Sequence, residues 1–385
     1  MTEQAALRTD VLIIGAGPVG MTLAVALANS SRRVLLVDRR PRGAWVSDPR
    51  ALALAHGSRQ LLERLGVWNA AAATAIRQIH VSQRGGFGRT LIDAEDYGTP
   101  ALGYVMRYRD LADELDARIG ADQLLASCSV DAIEIDVEQA LVSVTREGKA
   151  RQITTKLVVH AEGTPDDGEG FMVHDYGQHA IVAEVSTMAG HQNRAWERFT
   201  PDGPLALLPL GDDYSIVFTV PAAKAERLLA LDDAAFLAAL SAQFGQRHEF
   251  TASRARASYP LALRVRRQIV RPRQVWIGNA AQSLHPVSGQ GFNLGLRDAW
   301  ELAETLLDSP SSDVGDAVAL AAYARARRLD RGGSQGFTDG IVRLFSNDLP
   351  PLRMARGLGL LALDLCPPLR HFVARRMIWG ARAWP

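Results

Sequence analysis

VLIIGAGPVGMTLAVALANSSRRVLLVD, residues 11–38, decides the fold. Its first four residues, Val11-Leu12-Ile13-Ile14, form a continuous apolar run, as expected of a parallel strand covered on both faces. Gly15-Ala16-Gly17-Pro18-Val19-Gly20 follows without a spacer and fits GxGxxG. Residues 21–28 continue as a small apolar helix, and Val34-Leu35-Leu36-Val37 is a second apolar run that ends in Asp38. The whole is a βαβ unit with an acid at the end of its second strand, the arrangement of a dinucleotide site. Gly15 permits the tight turn, Gly17 lets the backbone approach a pyrophosphate, and Gly20 lets the helix close on the strand. Asp38 can accept hydrogen bonds from an adenosine ribose. A lone GxGxxG carries little weight, but here strand, helix, second strand and acid all fall in place, against a chance glycine-rich turn.

A second glycine-rich block lies far away, VWIGNAAQSLHPVSGQGFNLGLRD over residues 275–298. Val275-Trp276-Ile277 reads as a buried strand ended by Gly278, and Asn279 and two alanines follow. After His285-Pro286, the run Ser288-Gly289-Gln290-Gly291 is predicted as a loop, and residues 295–306 as a helix led by Asn293. A strand, a glycine loop and a helix N-terminus offer unpaired N–H groups and a positive dipole end, which suit an anion or a polarised ring. No second complete GxGxxG exists, since Gly357-Leu358-Gly359 lacks the third glycine, and there is no CxxC. These absences argue against a reductase with two dinucleotide domains. One resident flavin, with its ADP at residues 11–38 and its ring at residues 275–298, fits better.

Composition excludes other classes. The 385 residues are 47% hydrophobic and 22% charged with a net charge of +1, an ordinary globular balance that gives nucleic acid no support as a partner. Cys128 and Cys366 form no CxxC pair and no zinc spacing, so no metal site is expected and a reducing compartment fits. The first ten residues, MTEQAALRTD, lack a signal pattern, and no apolar run approaches the ~20 residues that span a bilayer. A cytoplasmic location is expected. Residues 349–385 interleave Arg353, Arg356, Arg370, Arg375, Arg376 and Arg382 with leucines and aromatics, opposed only by Asp364. Such helices either pack as ordinary terminal helices or lie peripherally on the inner face of an anionic membrane.

The remaining pattern is α/β: a Rossmann-like domain beside an antiparallel-sheet domain and C-terminal helices. Residues 79–82 and 90–93 are predicted strands joined by the glycine turn 85–88, and residues 108–119 a helix. Residues 132–147 hold two alternating runs, and residues 156–161 a buried strand. Residues 180–220 are strand-rich, residues 222–244 helical, and residues 317–331 a charged helix. Residues 1–75, 100–168 and 260–340 are assigned to a discontinuous FAD-binding domain, 76–99 and 169–259 to a substrate domain, and 341–385 to a helical segment.

GAGPVG with Asp38, the segment Asp48-Pro49-Arg50-Ala51-Leu52-Ala53-Leu54 and the 275–298 block resemble the group A FAD-dependent aromatic hydroxylases, and more narrowly the ubiquinone-biosynthesis hydroxylases. Glu197-Arg198-Phe199-Thr200 leading to the run from Gly203 to Pro209, Tyr259-Pro260-Leu261-Ala262-Leu263, and Leu344-Phe345-Ser346-Asn347 support the narrower assignment. Asn279 and Gln282 stand where the wider class has Asp and His, and are similar to the 2-polyprenyl-6-methoxyphenol hydroxylase branch. The resemblance implies a para-hydroxybenzoate hydroxylase-like fold. It further implies that Gly15, Gly17, Gly20 and Asp38 hold the ADP half of FAD, that Arg50 reaches its phosphates, and that Arg109 belongs to the cofactor-binding set. Asn279 would sit near the ribityl and pyrophosphate, and Gly289, Gly291, Phe292 and Asn293 along the isoalloxazine. His285 and Pro286 would approach the face where O2 and substrate meet. NAD(P)H would bind transiently, and a flavin hydroperoxide would attack a hydrophobic prenylated phenol.

One departure matters. Where the family carries Ala-Asp-Gly followed by Ser and Arg, this chain has Ala161-Glu162-Gly163 and a short acidic run, Thr164-Pro165-Asp166-Asp167-Gly168. This touches reduction by NAD(P)H more than FAD binding. Two other readings therefore stay open: a flavin hydroxylase of another aromatic, and a flavoprotein serving as a structural member of a ubiquinone-biosynthesis complex.

Overall fold

Two eight-stranded sheets meet across a small third one in the computed structural model, which describes residues 7–164, 170–245, 247–345 and 350–380. The first sheet is centred on Leu7–Ile14, which pairs in parallel with Val34–Val37 on one side and Lys149–His160 on the other. Leu124–Leu125 extends it beyond Val34–Val37, and Gln274–Trp276 and Val270–Arg271 extend it beyond Lys149–His160. Strand alternation splits the apolar run at its centre. Val11 and Ile13 join a core with the helices Pro18–Leu27 and Gln290–Asp308, while Leu12 packs against Val142, Val144 and Val158. Val142 and Val144 belong to the antiparallel hairpin Cys128–Ile135/Ala140–Arg146, which matches the two alternating runs read from the sequence.

The second sheet runs Gln282–Ser283, Phe250–Arg266, Phe171–Thr187, Asp213–Pro221, Gly203–Leu210, Arg194–Thr200, Gln78–Gln83, Arg89–Asp93. Its neighbours are antiparallel except the parallel pair Arg194–Thr200 and Gln78–Gln83. Ile181, Leu205, Ile216 and Phe218 on one face pack under the helices Ala222–Leu229 and Asp233–Phe244. Between the two large sheets lies the three-stranded sheet Ala51–Ala55, Gly103–Arg107, Thr74–Ile76.

Four boundaries differ from the sequence reading. The first helix begins at Pro18, because proline is preorganised for the first helical position. The helix predicted over 108–119 ends at Asp116. The glycine loop at 288–291 is shorter than expected, because the long helix already begins at Gln290, with Gly289 as its N-cap at φ +58. Finally, the helix expected over 317–331 runs on to Phe345 through four glycines, held by buried Thr338, Val342 and Phe345. The helices Pro350–Leu365 and Pro367–Trp379 close the chain. Pro165 to Gly168, Ser346, Asn347, Leu349 and Arg382 lie outside the described residues. Cys128 is buried and Cys366 exposed, and both are free thiols. Among the described residues, no helix is long and apolar enough to cross a membrane.

Candidate functional site

At the first glycine turn, Gly15 has φ +104, and a Cβ there would overlap the Ala161 carbonyl and the Glu162 amide. A Cβ on Gly20 would overlap the Gly15 carbonyl. The strand, the helix and the Ala161–Glu162 segment therefore close together only with glycine at these two positions. Gly17 caps Pro18–Leu27 with no side-chain hydrogen bond, which leaves the first-turn N–H groups facing outward for an anion. Asp38 is buried; its Oδ2 accepts from Ala16 N at 2.8 Å and its Oδ1 from Arg40 N at 2.8 Å. Ala16, Asp38, Trp45, Leu124 and Ala126 line a narrow cleft beside it.

Arg50 does not point freely into that space. Its Nε and Nη2 hold Asp48 at 2.8 and 2.5 Å, and its guanidinium lies 4.7 Å from the Tyr108 ring centroid. Burial opposes ionisation of Asp48, but the bonds from Arg50 outweigh it and hold that carboxyl below the usual carboxylate range. Arg109 is a half-exposed residue whose Nε lies 3.5 Å from Asp110.

The second glycine block is built differently. Gln282 and Ser283 form an edge strand of the second sheet, pairing with Val265 and Arg264, so this block joins both large sheets. Gly278 at φ +59 and Gly295 both press against Val19, where a Cβ would come within 3.1 and 3.0 Å of its methyl groups. Through Val19, the helix of the first glycine turn packs directly on the helix of the second. Asn293 is buried; its Nδ2 donates to Ala53 O at 2.9 Å and Gly289 O at 2.7 Å, and its Oδ1 accepts from Ala55 N at 2.8 Å. It thereby ties the loop to the strand Ala51–Ala55. No side chain caps the helix at Gly289, and a Cβ on Gly291 would meet nothing within 4 Å. Phe292 is partly buried against the core, and Asn279 is exposed in the short turn Gly278–Ala280.

His285 is fully buried, and its Nδ1 accepts from Val287 N at 3.2 Å, starting the turn Pro286–Ser288. That bond makes Nε2 the protonated nitrogen, and Nε2 is buried without a partner. The ring meets Tyr176 edge-on at 5.2 Å. Burial pushes the imidazole down to about 4, so it is neutral at pH 7. Tyr176 in turn donates to Asp339 Oδ1 at 3.1 Å, and burial, followed by Asp339, raises its phenol.

Beneath the loop lies a charged network that the sequence reading missed. Asp298 is fully buried: its Oδ2 accepts from Gly278 N at 3.0 Å and Gln282 Nε2 at 2.6 Å, and its Oδ1 from Arg327 Nε at 2.7 Å. Arg327, 2% exposed, also reaches Asp330 at 2.9 Å, and Asp330 binds Arg297 at 2.7 Å. Burial disfavours the Asp330 charge, yet Arg297 and Arg327 hold its carboxyl below the usual range. Gln282 Oε1 accepts from Arg331 Nε at 2.5 Å. The helix read as merely charged therefore buries one face in the interior. Tyr323, Arg327 and Asp330 recur at intervals of four and three, which is the one sequence signal of a shared buried face.

These residues fit FAD. One uncapped helix N-terminus beside a buried Asp suits the ADP half, and a second, 19-residue helix with open space at Gly291 suits an isoalloxazine. Fold and site together define a flavin monooxygenase of the para-hydroxybenzoate hydroxylase-like architecture. The family described as FAD binding domain matches residues 8–330, and the chain belongs to it. It is 34% identical over 402 residues to ubiquinone hydroxylase UbiL of Rhodospirillum rubrum, covering 100% of this chain and 93% of that protein. It is 30% identical to 3-demethoxyubiquinol 3-hydroxylase of Escherichia coli, covering 96% and 98%. The p-nitrophenol 4-monooxygenase PnpA of Pseudomonas putida DLL-E4 shares the fold, with a TM-score of 0.78 at 16% identity over 98% of this chain and all of that one. The chain is an FAD-dependent aromatic hydroxylase of the group that contains the ubiquinone hydroxylases.

Proposed function

We propose that this hydroxylase acts on a polyprenylated phenol of the 2-polyprenyl-6-methoxyphenol kind in ubiquinone biosynthesis, with NAD(P)H and O2 as co-substrates. The observation that carries this reading is the apolar border of the His285–Pro286 turn. Val287 packs with Phe199, Phe345, Leu360, Val81 and Ile341, surroundings that favour a prenylated ring over a charged one. The names of the relatives support the pathway.

In this reading the first sheet holds the cofactor and the second the substrate. Gly15, Gly17, Gly20 and Asp38 bind the ADP half, with Arg50 and Arg109 on the phosphate side, and Asn279 lies toward the ribityl. The N–H groups at Gly291, Phe292 and Asn293 stabilise negative charge on the ring. Pro286 and the neutral His285, donating from Nε2, border the reacting face. Bound FAD supplies acceptance of hydride and activation of O2. The protein's part is to orient the phenol and exclude water.

Glu162 favours one competing reading, a flavoprotein weakened in reduction. It is exposed, its carboxylate lies 3.3 Å from His160 Nδ1, and it follows the strand Lys149–His160 where the family pattern has a shorter acid. Anaerobic mixing of the yellow holoenzyme with NAD(P)H decides. Bleaching accelerated by a prenylated phenol is expected. Bleaching by a soluble phenol alone points to another aromatic substrate, and no bleaching with any phenol points to a structural role in a biosynthetic complex.

We also propose peripheral contact with anionic membranes. The helices Pro350–Leu365 and Pro367–Trp379 expose Met354, Leu358, Leu365 and Phe372 beside Arg375 and Arg376. Removing residues 349–385 is expected to reduce co-sedimentation with phosphatidylglycerol vesicles. Unchanged binding would make these helices plain packing.

A further inference from the structure

The strand Arg194–Thr200 carries one further carboxyl, that of Glu197. Alternation along it places Trp196 on the face under the helices Ala222–Leu229 and Asp233–Phe244, and Ala195, Glu197 and Phe199 on the opposite face. Ala195 packs there with Ile76, Val105 and Leu210, and Phe199 with Phe345, Leu360 and Val287. Glu197 lies between these two apolar clusters, in register with Val81 on one neighbouring strand and Ala206 on the other. It is therefore on the face of the second sheet that meets the turn after His285.

Its Oε1 has no accessible surface and no hydrogen-bond partner. The residue as a whole is half-buried, and burial is the one cause that raises its carboxyl. A buried carboxyl oxygen left without a partner among apolar side chains is unfavourable unless a ligand completes it. The charges of its own strand lie on the other face, where Arg194 holds Gln78 and Arg198 bonds Gln243 O at 2.7 Å. His80 of the neighbouring strand packs tilted against Trp196, with ring centroids 4.6 Å apart, also on that face. From the helices, Asp339 is engaged by Tyr176 and Arg343, and Arg356 lies over Phe345. Farther along the same sheet face, Glu184 pairs with Arg107.

We propose that Glu197 receives the hydroxyl group of the phenolic substrate, accepting its hydrogen bond and then its proton as the ring is hydroxylated. The inference rests on the reading of this chain as a phenol hydroxylase. In the step, the phenol O–H bond breaks and its electron pair enters the ring while the ring carbon bonds to one atom of O2. The other oxygen leaves as water with the electrons of NAD(P)H. The carbon then loses its hydrogen as a proton, the aromatic ring is restored, and Glu197 returns its proton to the first oxygen. Burial alone pushes the Glu197 carboxyl up to about 8, far closer than an exposed glutamate to a phenol near ~10.

The test uses the full-length FAD-loaded protein, Glu197→Gln and Glu197→Leu, and a 2-methoxyphenol carrying one isoprene unit, with its O-methyl ether as control. Binding is followed by perturbation of the oxidised flavin spectrum between pH 7 and 9. The wild type is expected to bind the phenol more tightly as pH rises through about 8. Glu197→Gln should be pH-independent, Glu197→Leu about tenfold weaker, a loss of ~1.4 kcal/mol, and the ether indifferent to all three. A wild-type pH profile retained in Glu197→Gln overturns the proposal and leaves the phenol-hydroxylase reading intact. A wild type that binds no phenol overturns both. Thermal stability of the cofactor-free proteins gives a readout independent of ligand. Because burial raises this acid in the folded state, its contribution is full below about 4.5 and is lost as pH rises through about 8. Glu197→Gln should therefore gain on the wild type between pH 6.5 and 9. No relative gain would show that the carboxyl is not held as described, and would overturn the proposal.

Discussion

The two ends of the proposed cofactor site are built by opposite means. At the ADP end, shape comes from backbone and missing side chains: Gly15 and Gly20 let strand, helix and the Ala161–Glu162 segment close, and Asp38 stitches the turn locally. At the flavin end, shape comes from side chains that reach across the molecule. Asn293 ties the loop to Ala53 and Ala55, and Asp298 gathers Gly278, Gln282 and Arg327. A steric device fails when an atom is added, and a charged one fails when an atom is removed. The comparison therefore predicts where each end is most fragile.

The largest effect is expected at the charged end. Asp298→Ala leaves Arg327 buried with only Asp330 to share, and removing one partner of a buried pair costs about 3–5 kcal/mol. Chemical denaturation should show that loss, with FAD content falling in parallel. A change no larger than that of a surface substitution would mean that the network does not shape the loop. At the steric end, Gly20→Ala forces a methyl into the Gly15 carbonyl, and overpacking of this kind costs about 3 kcal/mol. Here the reading is FAD retention on gel filtration; full retention would break the contrast between the two ends.

This difference also explains what could be read from the sequence. The proposed ADP end is contiguous, so spacing alone brings Gly15, Gly17, Gly20 and Asp38 together as candidates. The flavin end shows its glycines but not its supports. Asp298 and Arg327 are 29 residues apart, and nothing local distinguishes Arg327 from the exposed Arg328 two positions before Asp330. The helix that carries Arg327 was expected to stop at Arg331, since Gly332-Gly333 follows; packing of Thr338, Val342 and Phe345 overrides that propensity. The strand Ala51–Ala55 escaped notice because its partner Gly103–Arg107 lies half a domain away. The resemblance implies that Arg50 reaches a phosphate, and its bidentate hold on Asp48 adds a pairing that only geometry reveals.

Asn293→Ala comes next in size. It removes three hydrogen bonds at once, and leaving the Ala55 N–H and two carbonyls unmet in a buried place costs about 2 kcal/mol. Because the tie holds the loop against its strand, proteolysis near Gly289 should speed up in the cofactor-free protein. Unaltered cleavage would place the tie outside loop stability. His285 adds a pH arm. Its imidazole is lowered by burial from 6.5 to about 4, so its contribution is complete above 6.5 and is lost as pH falls through about 4. His285→Gln should flatten the thermal-stability profile in that window and leave the window above 6.5 unchanged, where the Glu197 slope stands alone.

The smallest substitution separates the two ends most sharply. Gly291 sits in the first turn of a 19-residue helix, is not in the left-handed region, and faces open space. A methyl there meets no protein atom, and alanine is favoured over glycine in a helix by about 1 kcal/mol. The cofactor-free Gly291→Ala protein should therefore be more stable than the wild type. If that open space belongs to the isoalloxazine, the same methyl must weaken FAD, so stability and affinity move in opposite directions. Gly289→Ala is the control: at φ +58, with Ala53 Cβ 3.3 Å from the new methyl, it should lose on both counts. Unfolding of the cofactor-free proteins and FAD titration measure the two quantities separately. A Gly291→Ala protein that gains stability and still binds FAD as the wild type does would move the ring away from the first turn of this helix.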